Sequence, residues 1–314
     1  MKALAYARYG PTEVLELMDL PRPTPGPGEV LVRTQAAAMN PKDVLVRKGK
    51  FKRITGRRFP KVPGYDFAGE VAELGAGVRG IEPGARVFGM LNRWAAGAAA
   101  EYVAVPIDEL ALMPSELSWA EAAALPLAAL TALQALRDLA QLREGQTVLI
   151  NGASGGVGVY AIQIARLLGA QVTTISSGRN LDFCRELGAH QTLDYGVEGG
   201  LGSCAPFDVI FDVFGNLPFD RARARLKAPG HYVTTIPKPA TVLQDLVYRW
   251  SRQPRRLVVV RSRRRDLEQL AEWVRAGALR PVVDRVWPLS EGAAAHAYIE
   301  TKRARGKVVL QVVG

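Results

Sequence analysis

Midway along the chain, "QTVLINGASGGVGVYAIQIARLLGAQVTTIS" (146–176) sets a β-branched strand, a glycine-rich loop, an apolar helix and a second strand in succession. A strand, a helical crossover and a second strand form a parallel, right-handed β-α-β unit. The alternation continues with the helix "RNLDFCRELG", the strand "QTLD", the buried strand "FDVIFDVF", the helix "PFDRARARL" and the strand "HYVTTI". "RLVVVR" (256–261) predicts a further strand and "RDLEQLAEWVRAG" a further helix. Such a chain folds as α/β, with a doubly wound parallel sheet covered on both faces.

The loop itself, 153–158, reads A-S-G-G-V-G, a dinucleotide fingerprint with alanine in the first glycine's place. Gly155 lets the backbone come close to a pyrophosphate, and Gly158 lets the helix pack tightly on the strand. With Ser154, Gly156 and Val157 they sit where free N–H groups and the positive end of a helix dipole gather. Ala153 is tolerated if its φ is negative. A ribose-binding acid is expected at the end of the second strand, about 20 residues on. Ser176 and Ser177 stand there instead, followed by Gly178 and Arg179. Hydroxyls and a guanidinium suit a 2′-phosphate, and no acid at that strand end repels one. The loop therefore predicts NADP(H) in preference to NAD(H).

The first 110 residues have another texture. "KALAYA", "EVLVRTQAAA", "GARVFGML" and "AEYVAVP" read as strands, and "PRPTPGPGE", "ELGAGVRG" and "EPGAR" as turns. They predict a β-rich, partly open barrel. Near residue 115 the composition turns helical, with Ser115 or Ser118 as the cap and a break expected at Pro126. The last 34 residues return to strand, helix and strand, and a piece that short rarely folds alone. The expected division is therefore 1–118 with 281–314 as one domain, and 119–280 inserted in it.

Length and composition add exclusions. The 314 residues are 48% hydrophobic, enough for a sizeable core, and no apolar run approaches a membrane span. The N-terminus has no secretory h-region. Cys184 and Cys204 form no framework, which fits two reduced thiols and a cytoplasmic location. Residues 42–61 carry nine Lys or Arg against Asp43 alone, and 249–265, from Arg249 on, carry eight Arg and no acid. These two segments exceed the whole net charge of +11, so the excess is local. Basic patches can hold cofactor phosphates, nucleic acid or an anionic membrane surface. The plainer reading is a solvated surface.

Taken in order, "AAAMNPKDVLVRKG" (36–49), "FPKVPGYDFAGEVAELGAGV" (59–78), "GARVFG" (84–89), "AEYVAVP" (100–106), "ALPLAALTALQAL" (124–136), "GASGGVGVYAIQIARLLGA", "RELGAHQTLDY" (185–195), "FDVIFDVFGN" and "GKVVL" (306–310) resemble the medium-chain dehydrogenase/reductase superfamily. Within it, they resemble the zinc-independent quinone oxidoreductase-like branch. The resemblance implies a GroES-like catalytic domain with an inserted Rossmann domain. Zinc-dependent relatives carry a Cys near Asn40 and a Gly-His-Glu where this chain has Gly64-Tyr65-Asp66. With His190, His231 and His296 far apart in the second half, the resemblance implies no metal.

It also implies roles. Asn40 would donate to a substrate oxygen that gains charge, Asp43 would orient its neighbours, and the Tyr65 hydroxyl would donate a proton or wall the pocket. Thr131 would lie near the nicotinamide. Gly155, Gly156 and Val157 would hold the pyrophosphate, and Ser176, Ser177, Arg179 and Tyr195 the adenosine 2′-phosphate. Phe214 and Gly215 would border the adenosine, Ile236 the nicotinamide, and Gly306 and Lys307 would close over the cofactor. Trp94 would line the cleft or pack under its loop.

The activity implied is NADPH-dependent reduction of a quinone or a conjugated carbonyl. An NADP-dependent alcohol or carbonyl oxidoreductase is the neighbouring expectation. A protein of another class would use the basic segments to bind RNA or anionic membrane, with little turnover. Strand pairing after residue 255 would make a homodimer.

Overall fold

The computed structural model describes residues 1–197, 201–237, 239–248 and 250–313; Arg249 lies outside them. The chain forms two compact units, Met1–Leu127 with Arg261–Gly314, and Ala128–Val260.

In the first unit, β1 (Lys2–Ala5) and β2 (Glu16–Asp19) make an antiparallel ribbon. β3 (Glu29–Met39) is the spine of the larger sheet. It pairs with β4 (Asp66–Leu74) on one side, and β5 (Arg86–Met90) follows. Two shorter strands, β6 (Tyr102–Pro106) and β7 (Leu110–Leu112), pair with β3 and β5. Leu4, Val32, Phe67, Val87 and Leu110 fill the core between these strands.

The second unit holds six parallel strands: β8 (Thr147–Asn151), β9 (Gln171–Ser176), β10 (Gln191–Asp194), β11 (Phe207–Asp212), β12 (Leu226–Thr234) and β13 (Arg255–Leu257). Their order is β10-β9-β8-β11-β12-β13. The chain winds outward from β8 in both directions, so the strand order reverses between β8 and β11. Open α/β sheets place ligands at such a switch point. β13 stops at Leu257, short of the strand expected over 256–261. Its partner β12 ends at Thr234, and only the Val258 N–H still reaches the Thr234 carbonyl, at 2.9 Å.

The chain then returns to the first unit. β14 (Val283–Pro288) and β15 (Lys307–Gln311) extend its sheet, and β15 pairs antiparallel with β3, Val308 opposite Met39. Residues 119–127 and 261–280, expected in the insertion, also pack here. The helix Trp119–Ala124 lies against β3 and β4, because its Ala122–Ala124 face is buried and small. The helix Arg264–Arg275 buries Leu267, Leu270, Ala271 and Val274 against β7. Ser262 anchors its start. Its N–H donates to Asn92 Oδ1 at 2.7 Å, and Asn92 Nδ2 donates to the Ser262 carbonyl at 3.1 Å.

His296, on the helix Gly292–Glu300, is fully buried, and neither ring nitrogen has a hydrogen-bond partner among the described residues. Burial, then the nearby Arg47 guanidinium, pushes its pKa down to about 3, with Glu300 opposing. The folded imidazole stays neutral where an unfolded one, near 6.5, takes a proton. Stability is thus fully present above pH 6.5 and falls as pH drops towards 3, by about 1.4 kcal/mol per pH unit in between. We expect His296→Leu to flatten this slope in urea unfolding at pH 7.5, 6 and 5. A parallel fall in the variant would contradict a neutral buried imidazole.

Candidate active site

In the first unit, Asn40 precedes the helix Pro41–Arg47, and the proline at the first helical position sets where that helix begins. Asp43, one turn in, accepts from the Asn40 backbone N–H at 2.9 Å and from the Gly64 N–H at 2.7 Å. It ties the helix start to the loop before β4. Burial raises its carboxyl to about pKa 6, against the pull of the Gly64 and Asn40 N–H groups. Asp43 thus holds its neighbours in place.

The Asn40 side chain is engaged by the protein itself. Its amide donates to Asp66 Oδ2 at 2.9 Å and to the Ala38 carbonyl at 3.3 Å, and its Oδ1 accepts from Lys307 Nζ. Lys307 Nζ also lies 3.0 Å from Asp66 Oδ2, and Asp66 Oδ1 accepts from the Leu127 N–H at 2.6 Å. All three side chains are buried. Both amide protons of Asn40 therefore meet protein acceptors. Lys307 Nζ meets Asn40 and Asp66. Gly306 is explained locally: its φ is +90°, and a Cβ would lie 2.5 Å from the Val282 carbonyl.

Tyr65 is fully buried, and its hydroxyl donates to the Trp94 carbonyl at 3.0 Å. Burial, with Asp43 and Tyr6 nearby, raises its pKa above the ordinary phenol value. Over its ring, at 3.8 Å, stands Lys42 Nζ, which is also 4.8 Å from the Trp94 ring. Among the described residues, no group of three or more His, Cys, Asp or Glu is placed to hold a metal. Asp66, in the Gly64-Tyr65-Asp66 stretch, has its carboxylate paired with the Lys307 ammonium.

In the second unit the loop after β8 has the geometry the fingerprint needs. The positive φ, +82°, falls on Gly152, and Ala153 is fully buried without one. A Cβ on Gly152 would lie 2.9 Å from that of Phe214, and one on Gly158 would lie 2.3 Å from the Gly152 carbonyl. Gly155 meets only one atom, at 3.5 Å, so its backbone has room for a ligand. Gly156 and Val157 lead into the helix Gly158–Leu167. Ser154 is tied to the next crossover, its Oγ accepting from Asn180 Nδ2 at 2.8 Å.

Asp212, which the sequence reading missed, braces the strand ends. It accepts from Asn151 Nδ2 at 2.7 Å, the Gly215 N–H at 2.8 Å and the Tyr232 hydroxyl at 2.8 Å. Gly215 (φ +74°) lies against Ile236, where a Cβ would be 2.2 Å from Cγ1. Phe214 and Tyr195 are exposed, and Thr131 is buried in the helix Pro126–Leu133.

The end of β9 differs from expectation. Ser176 is buried beside Cys184, so of the two hydroxyls only Ser177 is accessible. An acid does stand here, supplied by β10. Asp194 pairs in register with Ser176, and a Cβ on Gly178 would lie 2.5 Å from Asp194 Oδ2. Sequence distance hides it, since the β9–β10 pairing is what brings it beside Ser176 and Gly178. A cavity of about 590 Å³ opens here, between Asn151, Asp194, Tyr195 and Asn216.

The buried Lys307–Asp66 pair yields a test. Removing one partner strands a buried charge and costs about 3–5 kcal/mol. We expect Lys307→Met to lose about that much in urea unfolding, and the double variant Lys307→Met/Asp66→Asn to recover most of it. Equal losses in both would mean that the pair is not charged.

Comparison with known proteins agrees with this architecture. Residues 26–115 match the alcohol dehydrogenase GroES-like domain, and 187–310 match the zinc-binding dehydrogenase model. The chain is 35% identical over 324 residues to a chloroplast envelope quinone oxidoreductase homolog of Arabidopsis thaliana, covering 99% of this chain and 98% of that one. It is also 35% identical, over 321 residues, to an NADPH-dependent alkenal/one oxidoreductase of the same plant's chloroplast, covering 99% and 79%. The quinone oxidoreductase of Coxiella burnetii superposes with a TM-score of 0.92 at 34% identity, covering 100% and 99%. A GroES-like unit with a parallel nucleotide-type sheet, matched end to end by these proteins, means that the chain belongs to the quinone oxidoreductase-like family of medium-chain dehydrogenases/reductases.

Proposed function

We propose that this protein is a metal-independent oxidoreductase that uses NADPH to reduce a small quinone or an α,β-unsaturated carbonyl. The observation that carries the reading is the loop 152–158. Gly158 has no room for a side chain, Gly155 has room in front of it, and a helix N-terminus stands behind both. Ser154 to Val157 would hold the pyrophosphate. Ser177, Arg179 and Tyr195 would meet the phosphorylated ribose, with Phe214, Gly215, Ile236 and Thr131 further along the cofactor. Bound there, the dihydronicotinamide supplies the hydride.

The names of the relatives support the acceptor class. The Lys307 ammonium on Asp66 supports a reaction without metal, and it ranks alcohol oxidation lower, since no metal acidifies an alcohol. The reading includes a cytoplasmic homodimer. The exposed Leu243, Leu246, Val247 and Trp250, before the edge strand β13, support the dimer. The binding-protein alternative is weakened because many basic residues already have partners. Arg47 and Lys48 meet Glu300, Lys61 donates to the Thr55 carbonyl, and Arg256 and Arg264 meet Asp245 and Glu268.

The activity test is saturable NADPH oxidation with a panel of benzoquinones and alkenals. No turnover on any acceptor, with salt-sensitive RNA or vesicle binding, would sink the reading. The cofactor preference has its own test in fluorescence titration. Losing a charge-assisted bond costs about 1.5–3 kcal/mol. Arg179→Ala should therefore weaken NADPH binding by about tenfold or more and leave NADH nearly unchanged. Asp194→Asn should tighten NADPH. Equal effects of Arg179→Ala on both nucleotides would refute the preference.

A further inference from the structure

The first unit contains two buried or half-buried lysines near Asn40, and they differ in one respect. Lys307 has its ammonium bound to Asn40 and Asp66. Lys42, in the first turn of the helix Pro41–Arg47, has its ammonium over the Tyr65 and Trp94 rings. Among the described residues Lys42 has no hydrogen bond and no ion pair.

Ring faces attract an ammonium without accepting a conventional hydrogen bond from its N–H groups. The niche is built firmly. Tyr65 is fixed through its bond to the Trp94 carbonyl, and Phe51 packs on the Trp94 ring at 5.3 Å between centroids. Trp94 is 39% exposed and Lys42 is half-buried, so the niche lies near the surface of the unit. Burial lowers the Lys42 pKa from the ordinary lysine value, with the Asp43 and Asp66 carboxylates opposing. The same carboxylates are fully engaged elsewhere, Asp43 by two backbone N–H groups and Asp66 by Lys307, Asn40 and Leu127. An ammonium with unused donors, held between aromatic walls suited to a planar ligand, calls for an acceptor oxygen from outside the chain.

We propose that Lys42 is that oxygen's partner: it donates to the carbonyl oxygen of the acceptor and supplies the proton that completes its reduction. This rests on the reductase reading above. When the conjugated acceptor takes up a hydride, its π electrons shift and negative charge collects on the carbonyl oxygen. A Lys42 N–H bond then breaks, its electron pair stays on nitrogen, and the proton bonds to that oxygen. The product is an enol or a hydroquinone, and water reprotonates the neutral amine. The net change is one hydride and one proton added to the acceptor. Lys42 takes the part first expected of Asn40 and Tyr65, whose polar groups face inward.

The test uses the full-length protein and a quinone or enone that the wild type reduces. General acids contribute about 10²- to 10⁴-fold. Lys42→Met should lower kcat by at least about a hundredfold and remove the loss of kcat/KM that the wild type shows at high pH as Lys42 deprotonates. Lys42→Arg keeps the charge but gives up no proton, so it should also lose that basic limb while still binding anions. Independently of turnover, para-nitrophenol titrated in the presence of NADP⁺ should bind the wild type and Lys42→Arg as phenolate, seen by its visible absorbance, and Lys42→Met at least about tenfold more weakly. If Lys42→Met does not fold, as judged by its melting curve, Lys42→Arg decides through the basic limb. Unchanged kcat, pH profile and phenolate binding in folded variants, beside an active wild type, overturn the role of Lys42. A wild type that reduces no acceptor but binds phenolate through Lys42 overturns the reductase reading and leaves the anion site standing.

Discussion

The buried contact between Lys307 and Asp66 is the constraint on which the first unit depends. Lys307 begins β15, near the end of the chain, and Asp66 begins β4, 241 residues earlier. β3 lies between these strands and ends beside Asn40, the third member of the cluster. An ion pair this deep contributes little net stability, because desolvation offsets its attraction. It strongly penalises arrangements in which one partner is missing. The cluster thus ties the return of the tail to the register of β3, which lets the chain interrupt this unit with another of its own.

The parts of the fold with strong period were legible in the sequence. Strands β8, β9 and β11 are short runs rich in β-branched and aromatic residues and mostly buried, and the loop between strand and helix carries its glycines at fixed spacing. Boundaries were less legible. The segment 261–280 reads as one more strand-to-helix step of the α/β pattern, yet Ser262 is held by Asn92 and the helix rests on β7. Nothing in local composition distinguishes a helix that covers a parallel sheet from one that covers an antiparallel sheet. Only the contact across 170 residues decides it.

The nucleotide loop shows a similar limit on a smaller scale. The fingerprint draws attention to Ala153, while the backbone conformation that needs glycine belongs to Gly152. β9 itself carries no acid at its end. The parallel pairing of β10 sets Asp194 beside the end of β9, and Gly178 is the residue that leaves it space. In the proposed reading, Arg179 and Asp194 would act on a 2′-phosphate with opposite charges, and cofactor preference would be the difference between them.

The same reasoning separates the two lysines. In the sequence, Lys42 looked like one of nine basic residues in a charged segment, and Lys307 like a cofactor contact. Burial and pairing set the two apart. Lys307 neutralises a carboxylate and leaves no net charge for a ligand, whereas Lys42 stands beside carboxylates that are already satisfied. The chemical difference lies in which ammonium still has donors to give. That depends on Asp66 meeting Lys307 and Asp43 meeting the N–H groups of Asn40 and Gly64. The structural ion pair is thus what keeps the second lysine available for chemistry.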